Sequence, residues 1–150
     1  MPVDFRRQYL RYADLQQHLQ LLAENNKDLV RLLRIGSSSE GRPLYVVVVG
    51  VEPDRKRPAL WIDANMHANE VVGTNVALGF VDDLLALHRG ENRHQLSAAV
   101  VDKAKAALVY VMPTMSPDGA EAIHENARFV RSSPVDDKPT GKPRWRHVDV

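Results

Sequence analysis

His67 and Glu70 lie three positions apart in WIDANMHANEVVG (Trp61–Gly73), an imidazole and a carboxylate close enough along the chain to share one small ligand. Zinc accepts His nitrogen and carboxylate oxygen, and a catalytic zinc typically uses three protein ligands plus a water. The chain has no cysteine, so any metal here must take His, Asp or Glu, and neither a disulfide nor a cysteine nucleophile is available. The H-E-x-x-H arrangement of helical metalloproteases is absent, since no His stands four residues after His67. The spacing alone is equally compatible with a plainer arrangement, in which His67 is a hydrogen-bonded structural residue and Glu70 sits where a carboxylate favours the positive end of a helix.

The chain carries its own control. His88-Arg89-Gly90-Glu91 repeats the spacing, but at a helix end in a charged, glycine-containing stretch, where a solvated loop is expected. The first copy follows an apolar strand-like run and opens a helix, and in α/β sheets ligands gather at such strand ends. Location therefore favours His67 and Glu70.

The elements that must position the pair follow from periodicity. Tyr12, Leu15, Leu19 and Leu22 mark one face of a helix that Asn25-Asn26 breaks. A hairpin is expected, with strands near residues 30–36 and 43–50 flanking the turn-rich GSSSEGRP, and ALWIDA is a third strand. Apolar positions from Val71 to Leu87 keep a helical period, so a helix runs to about His88. A short helix is expected over Leu96 to Ala104, and then a fourth strand, AALVYVMP, stopped by Pro113. Pro117-Asp118-Gly119 suits a turn into a short helical segment, and the proline-rich stretch from 131 to 150 reads as a loop or tail. Helices interleaved with strands, one pair of them a hairpin, give an α/β fold with a layered mixed β-sheet flanked by helices.

Bulk properties narrow the function. A net charge of +1 with acids and bases intermixed leaves no electrostatic footprint for nucleic acid or an anionic membrane, so neither is expected as a partner. The apolar runs are strand-sized and the N-terminus is charged from Asp4 onward without a signal-peptide core, which points to a cytoplasmic protein. A nucleotide-binding α/β domain is disfavoured, because VVVVGVEPDRK has one glycine where a phosphate-cradling loop needs several.

Four stretches in order, IGSSSEGRPL, DANMHANEVVG, VYVMPTMSPDGAE and NARFVRS, resemble the landmarks of the zinc carboxypeptidase family, the carboxypeptidase A type, over about residues 9 to 133. The resemblance implies a zinc carboxypeptidase-like fold, a zinc cofactor and a peptide or peptide-like substrate. It implies that His67 and Glu70 are the first two zinc ligands, that Arg131 polarises the scissile carbonyl and stabilises the oxyanion, and that Arg128 supports it at the substrate. A guanidinium suits that task because its donors form a planar fork and it stays charged at any working pH. Asn69 stands where many members carry an arginine that contacts substrate upstream of the cleaved bond. Ser116 replaces the usual asparagine before Pro-Asp-Gly, and Val130 the usual tryptophan before the second arginine. These departures suggest altered substrate contacts, with Asn69 as the residue at that position.

The family's third ligand is a histidine well downstream of the R-x-x-R stretch. The only later histidine is His147, in RWRHVDV, without the strand and small-residue context of that ligand; no glutamate follows Glu125 to serve as general base. Residues 1–150 are therefore expected to be the N-terminal part of a zinc carboxypeptidase-like domain, an incomplete domain that is inactive alone, with an unpaired strand edge that invites self-association. The intact enzyme would hydrolyse the C-terminal amide bond of peptides. A zinc amidohydrolase acting on small N-acyl amino acids and a non-catalytic binding module on the same scaffold are the alternatives.

Overall fold

The computed structural model describes residues 3–126 and 130–131. Along the chain run α1 (Tyr12–Asn25), β1 (Val30–Ser37), β2 (Pro43–Val49), β3 (Ala59–Asp63), α2 (Val72–His88), α3 (Ala98–Ala106), β4 (Leu108–Met112) and α4 (Pro117–Asn126). The strands form one sheet in the order β1-β2-β4-β3, antiparallel at β1/β2 and β2/β4 and parallel at β3/β4. The α/β fold with a layered mixed sheet and flanking helices is thus the one the pattern predicts.

Burial explains the order. Val46 to Val49 of β2 and Leu108, Val109, Val111 and Met112 of β4 are all buried, so the β-branched runs occupy the two central positions. Leu15 and Leu19 of α1 and Leu78, Val81, Leu84 and Leu85 of α2 join Val47, Val49, Val109 and Val111 in a single core. β3 is an edge among the described residues, and its Leu60 and Trp61 are about half exposed, with Trp61 stacked on Tyr110 at 6.4 Å between ring centroids.

Long-range polar contacts set several element ends. Arg11 at the N-cap of α1 offers no side-chain cap; the Tyr12 N–H donates instead to Glu121 of α4 at 2.7 Å, and Arg11 forks onto the same carboxylate at 2.7 to 3.1 Å. At the other end of α1, Asn26 donates from Nδ2 to Leu22 O at 2.7 Å and closes the helix. α3 begins two residues later than its apolar pattern suggests. Asn92 engages both the N–H and the carbonyl of Leu96, so the first helical turn forms only after Ser97. α4 runs ten residues, longer than the short segment expected, with its second turn anchored by the Arg11–Glu121 pair. No helix among the described residues is long and apolar enough to cross a membrane.

Candidate metal centre

The site lies where β3 and β4, parallel neighbours, both end. Asp63 pairs with Met112, and the pairing continues into the two following loops: Ala64 N–H donates to Met112 O at 3.0 Å, Met115 N–H to Ala64 O at 3.1 Å, and Ser116 N–H to Asn65 O at 3.1 Å. The β3–α2 loop, which carries HANE, is in this way stitched to the β4–α4 loop, which carries SPDG. α2 starts at Val72 rather than at Glu70 itself, because Glu70 N–H closes a turn on His67 O at 3.0 Å and Gly73 N–H then donates to Glu70 O at 2.9 Å.

That turn brings the two predicted ligands together. His67 Nδ1 and Glu70 Oε1 are 2.9 Å apart, and Arg131 donates from Nη2 to His67 Nε2 at 2.8 Å. A guanidinium can only donate, so Nε2 is the acceptor and the ring proton sits on Nδ1, facing the Glu70 carboxylate. This hydrogen bond is the main reason the Glu70 carboxyl is held below its ordinary value; partial desolvation opposes it, and the charge of Arg131 adds to it. Arg131 is also held by its backbone, since its carbonyl accepts from Ala68 N–H at 2.8 Å. Val130, at the position where tryptophan is usual, is buried beside it.

Two ligands about 2.0 to 2.1 Å from one tetrahedral ion stand roughly 3.3 Å apart. The His67–Glu70 separation of 2.9 Å comes within a few tenths of that, and the Nδ1 proton occupies the line between them. The pair fits two corners of a zinc site. Among the described residues, no group of three or more His, Asp or Glu side chains is placed to hold a metal ion, so a third corner is not supplied there.

Asn69, predicted at the substrate, lies between the ligands in sequence, and its Oδ1 is buried with no hydrogen-bond partner. Arg128, the predicted supporting arginine, and His147 lie outside the described residues. The control copy departs from its expectation in one respect. His88 ends α2 half-buried rather than solvated, with Nε2 buried and unpartnered, and burial first, then Lys105 and Arg57, lower its pKa. Glu91 is exposed. An open groove of about 730 Å³ between residues 5–9 and the outer face of α2 is lined by none of the residues that meet at His67.

Sequence reasoning missed what holds the landmarks in place. Asp118 of SPDG is buried and accepts from Ser38 Oγ at 2.6 Å, Glu40 N–H at 3.0 Å and Arg42 Nη1 at 2.7 Å, so the EGRP turn is latched onto the PDG turn. Gly41 takes φ +82° there, in the left-handed region that favours glycine. The order of the two motifs along the chain conceals that they form one structure.

The α/β sheet thus presents a His–Glu pair at the end of a parallel strand, with an arginine against the histidine. The zinc carboxypeptidase family profile matches residues 15–147, and the chain belongs to that family. Carboxypeptidase M of Mus musculus is 32% identical over 126 residues, covering 82% of this chain and 27% of the relative. Bovine thrombin-activatable fibrinolysis inhibitor, solved in complex with tick carboxypeptidase inhibitor, superposes with a TM-score of 0.73 at 27% identity, covering 91% of this chain and 41% of that one. The carboxypeptidase A structure from Helicoverpa armigera shares the fold with a TM-score of 0.76 at 18% identity, over 93% of this chain and 32% of that one. The chain spans less than a third of the length of the curated relatives it matches.

Proposed function

We propose that this chain is the N-terminal part of a zinc-dependent carboxypeptidase that hydrolyses the C-terminal amide bond of peptides, with His67 and Glu70 as two of the zinc ligands and Arg131 at the reacting carbonyl. The observation that carries the reading is the convergence of these three side chains within 2.9 Å contacts at the end of β3, although Arg131 is 64 residues from His67 in sequence. Membership of the zinc carboxypeptidase family supplies the chemistry that such a convergence serves.

When bound, zinc polarises a carbonyl oxygen and brings the pKa of its water to about 7. The chain's own residues prepare for it. His67 and Glu70 would hold the ion, the histidine through a ring nitrogen that carries no proton. Arg131, whose guanidinium rests against His67 Nε2, would be the residue that holds the oxyanion developing on the substrate carbonyl with its planar fork. Its backbone stays tied to Ala68, which keeps the guanidinium within reach of the site. Asn69, with an unpaired Oδ1 beside the ligands, is the residue we assign to substrate contact in place of the arginine usual there. The third ligand and the general base belong to residues outside those described, in keeping with the share of the relatives' length that the chain spans.

The test is release of free C-terminal residues from synthetic peptides by the longest natural form of the polypeptide, with and without a zinc chelator. Chelator-sensitive release of single C-terminal residues is expected. Preference for N-acyl amino acids over peptides would make the protein an amidohydrolase, and the absence of both turnover and zinc would make it a binding module.

A further inference from the structure

Among the described residues near the site, Asn65 alone has a left-handed backbone, and its side chain reaches the turn that carries His67 and Glu70. Its φ is +52°, and the residue is buried. Asparagine is one of the few residues with a Cβ that enters the left-handed region readily. The side chain uses both ends of its amide. Nδ2 donates to the carbonyls of His67 at 3.0 Å and Ala68 at 3.3 Å, while Oδ1 accepts from Thr114 Oγ1 at 2.8 Å.

Adjoining contacts complete the arrangement. Met66 O accepts from Ser116 Oγ at 2.5 Å, and Asn65 O from Ser116 N–H at 3.1 Å. Four consecutive carbonyls, from residue 65 to residue 68, are therefore bound, two by Ser116 of the β4–α4 loop and two by Asn65, which Thr114 of that loop props. A free loop carbonyl would be met by water and could turn; these cannot turn without orphaning a buried donor. Gly73 closes the other side. A Cβ there would lie 3.0 Å from the Asn65 backbone nitrogen, so the first turn of α2 packs directly on this residue.

We propose that Asn65 is the positioning residue of the metal centre: propped by Thr114, it fixes the turn that aims His67 Nδ1 and Glu70 Oε1 at one point. The proposal rests on the reading of that pair as zinc ligands. Partners of this kind set ligand orientation, and their loss typically weakens metal binding about 10- to 100-fold. An asparagine serving only the fold would bridge elements away from the ligands, whereas both donors here end on the carbonyls of a ligand and of its neighbour.

The experiment uses the full chain and zinc alone as probe. Affinity is measured by competition with a chromophoric chelator for wild type, Asn65→Gly, Thr114→Val and His67→Ala. The visible spectrum of the cobalt(II)-loaded protein is recorded beside it, because its band positions report ligand geometry in the fraction that binds. Glycine keeps the left-handed backbone without strain and removes only the bridge. Asn65→Gly is expected to weaken zinc about 10- to 100-fold and to alter the cobalt bands, and Thr114→Val to weaken it less, by about 3- to 10-fold. Wild-type affinity and spectrum in Asn65→Gly would overturn the proposal while leaving the metal centre standing. If Asn65→Gly does not fold, unchanged affinity and spectrum in Thr114→Val overturn it equally. Zinc binding that His67→Ala leaves intact, or none in the wild type, would refute the metal reading itself and the proposal with it.

Discussion

Replacing Asp118 with alanine should cost the fold about 3 to 5 kcal/mol, because it breaks a buried charge network from the acceptor side. The side chain is 1% exposed and is met by three donors: the Ser38 hydroxyl, the Glu40 backbone N–H and the Arg42 guanidinium. Hydrogen bonds to a charged group contribute about 1.5 to 3 kcal/mol each, so three would sum to more than the expected loss. Two features reduce it. Arg42 keeps its pair with Glu40 at 2.5 Å, and with its side chain 23% exposed it can recover some hydration. The Glu40 N–H has no such relief and is left without an acceptor. Asp118→Asn keeps the shape and one oxygen, and should lose about half as much. Urea unfolding of the full chain is the assay. With a slope of roughly 2 kcal/mol per molar urea, the alanine variant should unfold about 2 M earlier. A loss under about 1 kcal/mol would refute the claim that the EGRP and PDG turns are one latched structure.

Three further outcomes test separate parts of the account. Arg131→Ala, in the longest natural form, should lower kcat by about 10² to 10³ with little change in KM, and Arg131→Lys should restore only part of the rate; a change confined to KM would make Arg131 a binding contact. His88→Ala should leave zinc content unchanged and shift stability by no more than about 1 kcal/mol, since it removes a half-buried imidazole whose Nε2 has no partner; loss of zinc would show that the second H-x-x-E copy carries the site. At Glu121 burial raises the pKa, but the Arg11 fork and the Tyr12 N–H outweigh it and hold the carboxyl below its ordinary value of 4.5. A depressed native pKa contributes stability that is full above about pH 4.5 and lost as pH falls through the native value. Wild type should therefore lose more stability between pH 6 and pH 3 than Glu121→Gln, and equal losses by urea midpoint would contradict the assignment.

Local pattern was enough to locate each helix and strand among the described residues, because one-sided burial writes itself into the chain with a period of 3.6 or 2. α2 ends at His88, as its apolar spacing indicates, and the hairpin strands fall within a residue or so of their expected bounds. The placement of β4 between β2 and β3 was not legible, since strand pairing across the sheet is a non-local choice. The proposed metal pair was visible as H-x-x-E, but its preference over His88 and Glu91 depended on the preceding strand. The contacts that position it were hidden for the same reason as the sheet order. Thr114 meets Asn65 from 49 positions away and Glu121 caps α1 from 109. Asn65 did leave a trace: an asparagine immediately after a strand, before a tight polar stretch, is a candidate for left-handed backbone. The half-burial of His88 was missed because RGE after it suggests solvent, whereas the end of α2 is folded in far enough that burial lowers the His88 pKa.

The central claim is that His67 and Glu70 together hold zinc, and calorimetric titration of zinc into the full chain tests it most directly. With two ligands among the described residues, weak one-to-one binding is predicted, abolished in both His67→Ala and Glu70→Ala. Tight binding that survives either substitution would contradict it.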